Sequence, residues 1–190
     1  MPSSSPTLLT PIVQTILHLW PRAGLDVGCG WGKWGALLRE YLDGWGPGAD
    51  GSRRTRIDAV EIWAPYIGPL HAAVYDEVFF PVDAVDFLEA TPADRGMRSA
   101  PSAYDLILCI DMIEHLDEAN GRRFVAAALR RGKTLLISTP MNPSPQEAVF
   151  GNEHERHVSR WKPSDFESPG RAVSGVAMAG FWVVTVGRTL

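Results

Sequence analysis

Two groups of residues in this 190-residue chain have types and spacings that suit chemistry. The first is the stretch "LDVGCGWGKWG", Leu25 to Gly35, which places four glycines in eleven residues between an apolar run and the helical pattern "ALLREYL". A glycine inside an element costs roughly 0.5 to 1 kcal/mol relative to alanine, so such a cluster implies that something must approach the backbone closely. The second group is acidic and imidazole-bearing: Asp111, Glu114 and His115 after one apolar run, then His154 and His157 with Glu153 and Glu155 in a later polar stretch. If the turn at Asp111 is helical, its i, i+3, i+4 spacing sets Asp111, Glu114 and His115 on one face. Together with His157 these side chains could hold a divalent metal, or equally form a hydrogen-bonded polar wall. With or without an ion, His157 and His115 are the natural proton acceptors.

The elements that must position these groups follow from hydropathy and turn signals. Thr10 can cap a helix with Pro11 at its first position, running to about Trp20. "AGLDVGCG" reads as a strand and turn, and "KWGALLREYL" as the helix that follows. "DGWGPGADGSRR" is a glycine-rich surface loop, "TRIDAVEIW" a second strand, "APYIGPLHAAVY" a short helix interrupted by proline, and "EVFFPVDAVDFL" a third strand ending near Asp83. "YDLILCI" is continuous enough for a strand buried on both faces. "EANGRRFVAAALRR" is a helix and "KTLLIST" a fifth strand, and the tail "RAVSGVAMAGFWVVTVGRTL" gives two strands around Gly180. This alternation argues for one α/β domain over residues 1–190: a Rossmann-like sheet, mostly parallel, finished by an antiparallel C-terminal strand pair, with helices on both faces. Residues 140–163, polar and proline-rich, read as a lid or substrate loop.

In such a sheet ligands sit beyond the carboxyl ends of the strands, where the strand order reverses, and the glycine turn lies there. Gly28 and Gly30 let a ligand approach the backbone, Gly32 opens the start of the helix, and Asp26 can accept from that helix's N-terminal N–H groups or from an ammonium. A dinucleotide fingerprint would need its third glycine three places after the second. Here Gly32 comes two places after Gly30, and Lys33 occupies the fingerprint position.

"LDVGCGWGKWGALL" resembles motif I of the class I S-adenosylmethionine-dependent methyltransferases. The resemblance extends, in order, through "VEIW", "VDA" and "YDLILCIDMIEHL", covering roughly residues 24 to 166. It implies S-adenosylmethionine as cofactor, with Asp26, Gly28, Gly30 and Gly32 beneath it and Glu61 holding the ribose hydroxyls. Trp63 would lie against the adenine, Asp83 and the backbone of Ala84 would contact the base, and Ile110 would line the site at the end of the fourth strand. The Glu114-His115 pair is shared with ubiquinone-type O-methyltransferases and other small-molecule members, which implies an oxygen or nitrogen of a small molecule as acceptor. His157, Trp161 and the Asp165-Phe166 pair also resemble the small-RNA 2′-O-methyltransferases, where Asp111, Glu114, His115 and His157 would be metal ligands. Asp111 departs from the glutamate of that pattern. A metal-assisted RNA 2′-O-methyltransferase and a non-catalytic, methyltransferase-like binding subunit are the competing readings. Catalytic roles are expected for His157, His115 and Glu114, with His157 on a lid and Trp161 and Phe150 as apolar walls.

A formal net charge of -4 gives no support for a chain that coats nucleic acid or anionic lipid. The arginines at 53, 54, 56, 122, 123, 130 and 131 read as solvated faces. "LLTPIVQTILHLW" is too short and too interrupted for a signal or an anchor, so no membrane partner is expected. Cys29 and Cys109 read as reduced, partly buried thiols that share a sheet, and the expected location is cytoplasmic.

Overall fold

A computed structural model describes residues 3–45, 50, 52–90, 101 and 103–188. Residues 46–49 and 51, where part of the glycine-rich loop was expected, lie outside the described residues. Seven strands form one sheet: β1 (Ala23–Val27), β2 (Arg56–Val60), β3 (Glu77–Phe79), β4 (Tyr104–Ile110), β5 (Gly132–Pro140), β6 (Arg171–Met178) and β7 (Phe181–Arg188). Their order is β3-β2-β1-β4-β5-β7-β6, with β1 to β5 parallel and the β6–β7 pair antiparallel. Among the described residues the α-helices are α1 (Leu9–Leu19), α2 (Lys33–Arg39), α3 (Pro69–Val74), α4 (Ala84–Glu89) and α5 (Glu118–Arg131).

The apolar run of β4 is continuous because both of its faces are covered. Leu106, Leu108 and Ile110 pack with Ile12, Ile16, Leu38 and Leu136 on one side of the sheet. Ile107 and Cys109 pack with Phe87, Phe124 and Ile137 on the other, as the two-residue period of a strand requires. Cys29 belongs to the first face and Cys109 to the second, so the thiols are separated by the sheet; both are free and buried, Cys109 completely.

Three local readings are corrected. Thr10 does not cap α1: the chain enters through a 3-10 turn at Pro6–Leu8, where the Ser5 hydroxyl accepts from the Thr7 N–H, and Thr10 lies inside the helix. Pro11 is tolerated there because first-turn N–H groups have no intrahelical acceptor. Asp83 does not end a strand: β3 stops at Phe79, and Asp83 caps α4, its Oδ1 accepting from Val85 N at 2.8 Å and Asp86 N at 3.1 Å. The arginines at 53, 54 and 56 are paired, with Asp76, Asp50, and Asp58 and Glu77, and Arg131 is buried, so these are built contacts more than solvated faces.

Candidate functional site

Parallel strands leave their carboxyl ends together, and the strand order reverses between β1 and β4. A cavity of about 890 Å³, its mouth included, opens there. Gly28, Gly30, Glu61, Asp83, Ala84, Ile110, Asp111 and His115 line it; Asp26, Gly32, Trp63, Glu114 and His157 are not among its lining residues.

The glycine turn is held by groups distant in sequence. Gly28 has φ +70, and a Cβ on it would sit 2.7 Å from the Met112 side chain, so the β4 terminus packs directly on its backbone. The Gly30 N–H donates to Glu61 Oε2 at 2.9 Å, and the Trp63 N–H donates to Oε1 at 2.8 Å. A carboxylate has about four acceptor positions, so Glu61 can still take two hydroxyls. Burial pushes its carboxyl upward, and backbone donors partly offset this. On the other side of the turn His71 is buried, accepts from Gly68 N at 3.1 Å on Nδ1, and donates from Nε2 to the Gly30 carbonyl at 2.9 Å. Asp26 lies beneath the first turn of α2. It accepts from the Tyr75 hydroxyl at 2.6 Å, and Gly35 N, in that turn, donates to the same hydroxyl at 3.2 Å and acts on the Asp26 carboxyl as well. Full burial raises the Asp26 carboxyl to about 7.

The acid and imidazole cluster is built from two segments, as expected, but with one member changed. The turn after β4 is a single 3-10 turn, Ile113–His115, and Asp111 precedes it with φ +50. The one-face helical arrangement of Asp111 with Glu114 and His115 is therefore not formed. Asp111 instead accepts from the Ser138 hydroxyl on β5, and its N–H donates to the Ser138 carbonyl at 3.0 Å. Glu114, His115 and His157 do converge, each offering a ligand atom within 4.8 Å of the others, with the two imidazole rings 5.0 Å apart. Val158 N and Ser159 N both donate to the Glu114 carbonyl, at 2.9 and 3.2 Å, which ties the 140–163 segment to the β4 terminus. His115 Nδ1 meets the Arg156 carbonyl at 3.0 Å and His157 Nδ1 meets the Ser144 carbonyl at 2.8 Å. A carbonyl oxygen only accepts, so each Nδ1 donates to it, and in the neutral ring Nε2 is the acceptor atom. Burial is the main cause that holds His115 below its ordinary pKa, and burial, then the nearby Asp111 charge, raises Glu114 to about 8. Glu114 Oε2 is buried without a hydrogen-bond partner.

Trp161 is no wall of this cavity. It is buried in the core against Phe166, over Gly121 of α5, where a Cβ would sit 2.2 Å from the indole. Phe150 is exposed and leans on Trp31 at 5.7 Å, and Trp31 in turn abuts Tyr66, which does line the cavity. Sequence reasoning also missed Tyr66, His71, Tyr75 and the lining role of Glu155. The Tyr66 hydroxyl donates to Glu155 Oε1 at 2.9 Å across 89 residues of chain, a pairing for which no local pattern exists.

Residues 7–170 match the family model described as "Methyltransferase domain". The ubiquinone biosynthesis O-methyltransferase of Bordetella parapertussis is 28% identical over 183 residues, covering 93% of this chain and 68% of that protein. Among solved structures, an O-methyltransferase family protein from Burkholderia thailandensis superposes with a TM-score of 0.62 at 14% identity; the match covers 96% of this chain and 56% of that one, so the chain spans about half its length. The magnesium protoporphyrin IX methyltransferase of Synechocystis, solved with bound S-adenosylmethionine, superposes with a TM-score of 0.57 at 12% identity, covering 95% of this chain and 80% of that one. Likeness at these identities shows a shared fold.

Proposed function

The chain belongs to the methyltransferase domain family, a class I S-adenosylmethionine-dependent fold, and from that premise we propose that it moves a methyl group onto an oxygen or nitrogen of a small molecule. The observation that carries the reading is the cavity at the β1–β4 reversal, with Glu61 braced by two backbone N–H groups at the end of β2. The O-methyltransferase name of the Bordetella relative favours oxygen. The donor set suits an adenosine: a carboxylate with unused acceptor positions for vicinal hydroxyls, and Asp83 and Ala84 further along the same wall. Two free, buried thiols suit a reducing compartment, and a cytoplasmic location is part of the proposal. Among the described residues no helix is long and apolar enough to cross a membrane.

When bound, S-adenosylmethionine supplies a methyl already activated by its sulfonium. The chain's own work is then to align the acceptor, exclude water and accept a proton where the acceptor carries one. His115 lines the cavity and burial keeps it neutral near pH 7, so its Nε2 can take that proton. His157, 5.0 Å away ring to ring, is the second acceptor, and the 140–163 segment that carries it supplies Asn152, His154 and Glu155 to the wall.

A second reading of the same cluster is supported by Glu114 Oε2, a buried acceptor without a partner beside two imidazoles whose Nδ1 atoms are already engaged. Carbonyl-anchored histidines and a carboxylate are a donor set for a divalent ion such as manganese or magnesium, which would polarise the acceptor oxygen. Glu114, His115 and His157 would hold it, without Asp111.

Calorimetry with S-adenosylmethionine and its demethylated product, followed by turnover of His115→Ala and His157→Ala, tests both readings. Cofactor binding with a loss of turnover of about 100-fold in at least one variant is expected. Unchanged turnover in both variants would remove the base assignment, and absence of cofactor binding would leave a non-catalytic subunit. A manganese-dependent rate lost in both variants would favour the metal.

A further inference from the structure

We propose that Lys33 binds the carboxylate at the methionine end of the cofactor, which places the amino-acid moiety between the start of α2 and the Ser3–Ser5 segment; the inference rests on the methyltransferase reading above. Lys33 is the sole lysine or arginine among the described residues that line the cavity, where Glu61, Asp83, Asp111 and Glu155 supply carboxylates. Its Nζ donates to the Ser4 carbonyl at 2.6 Å and the Ser4 hydroxyl at 3.3 Å, both neutral oxygens, and among the described residues it makes no ion pair. Other basic groups that are partly buried behave differently: Arg39 reaches Asp43 and Asp76, and Arg56 reaches Asp58 and Glu77. A half-buried cation that faces a cavity and hydrogen-bonds only to neutral oxygens still has donor capacity for an anionic ligand.

The chemistry of the ligand decides which anion. Adenosine carries none, whereas the methionine end carries one carboxylate. Lys33 follows the glycine turn directly, at the position where a dinucleotide fingerprint would have its third glycine. Trp34 reinforces the arrangement, since its Nε1 donates to the Ser4 hydroxyl at 3.1 Å, so adjacent residues hold Ser4 at the cavity edge. Burial lowers the Lys33 pKa, and the charge of Asp111, which lines the same cavity, offsets this in part. The residue that breaks the dinucleotide pattern is thereby a selector for an amino-acid-bearing nucleoside.

Titration calorimetry of the purified chain with S-adenosylmethionine and with its decarboxylated analogue, which differs by the carboxylate alone, tests this directly. Lys33→Met should weaken S-adenosylmethionine binding by about 10- to 100-fold. It should leave the decarboxylated analogue within about 2-fold of wild type, and Lys33→Arg should recover part of the loss. Equal loss of both ligands, or no loss of either, overturns the assignment. Should Lys33→Met fail to fold, Lys33→Gln takes its place, with the same two ligands and the same criteria. A wild-type chain that binds neither ligand removes the methyltransferase reading itself, an outcome distinct from wild-type binding that Lys33 does not influence.

Discussion

Asp26 sits where a carboxylate is least comfortable, fully buried beneath Tyr75, with its carboxyl raised to about 7. The folded-state value lies above the unfolded one, so the native chain retains a proton that the unfolded chain has released. Stability from this group is therefore present below about pH 4 and is lost as pH rises toward 7. Asp26→Asn should remove that dependence. Urea melts should show the variant equal to or slightly less stable than wild type near pH 5, and more stable near pH 8 by an amount on the order of 1 to 3 kcal/mol. A difference that is the same at both pH values would show that Asp26 is ionised throughout. At this scale the sequence was informative about residue type and poor about partners. The glycine turn was legible from Gly28, Gly30 and Gly32 alone, and Gly35, the fourth glycine of that stretch, packs on the Tyr75 ring, which a Cβ there would meet at 2.2 Å. The hydroxyl that takes up Asp26 lies 49 residues away, beyond any local signal.

The 140–163 segment shows which part of an element a sequence reveals. Its polarity and prolines distinguished it from a core element, yet its attachments are long-range. Val158 and Ser159 donate to the Glu114 carbonyl and Tyr66 donates to Glu155, while inside the segment Gln146 Nε2 donates to the Glu155 carbonyl at 2.6 Å. Trp161 was misread for the same reason: an aromatic in a polar stretch suggested a site wall, and only the notch at Gly121 of α5 shows it to be an anchor into the core. Tyr66→Phe removes one attachment while leaving the ring. Hydrogen exchange followed by mass spectrometry should show faster exchange across residues 146–157 and no change in β1, β4 or β5. Cofactor affinity should fall by about 3- to 10-fold, the loss typical of one hydrogen bond. Unaltered exchange in the segment would mean that Glu155 is held without the tyrosine.

For the whole molecule, the count and direction of strands followed from apolar runs and helix-length connections. The strand order could not, because β1 lies beside β4 through pairings that no residue of β1 encodes on its own. That order separates the two cysteines, Cys29 at the cavity on one face of the sheet and Cys109 in the core of the other. Burial pushes both thiols up, beyond the range in which a thiolate is present at neutral pH. A thiol reagent therefore labels Cys109 only when the fold opens, whereas it meets Cys29 through the cavity or on opening, and the two faces report independently. A ligand that binds only the folded chain adds about 2.7 kcal/mol of stability at 100 times its Kd, equivalent to about a 100-fold lower population of the open state. With the demethylated cofactor at that excess, labelling of Cys109 should slow by about 100-fold if its exposure requires global unfolding. Cys29 should slow at least as much, since the cavity it lines would also be filled. Peptide-resolved labelling in which Cys29 slows and Cys109 does not would show that the second face opens without disturbing the site, and would divide the sheet into two units of separate stability.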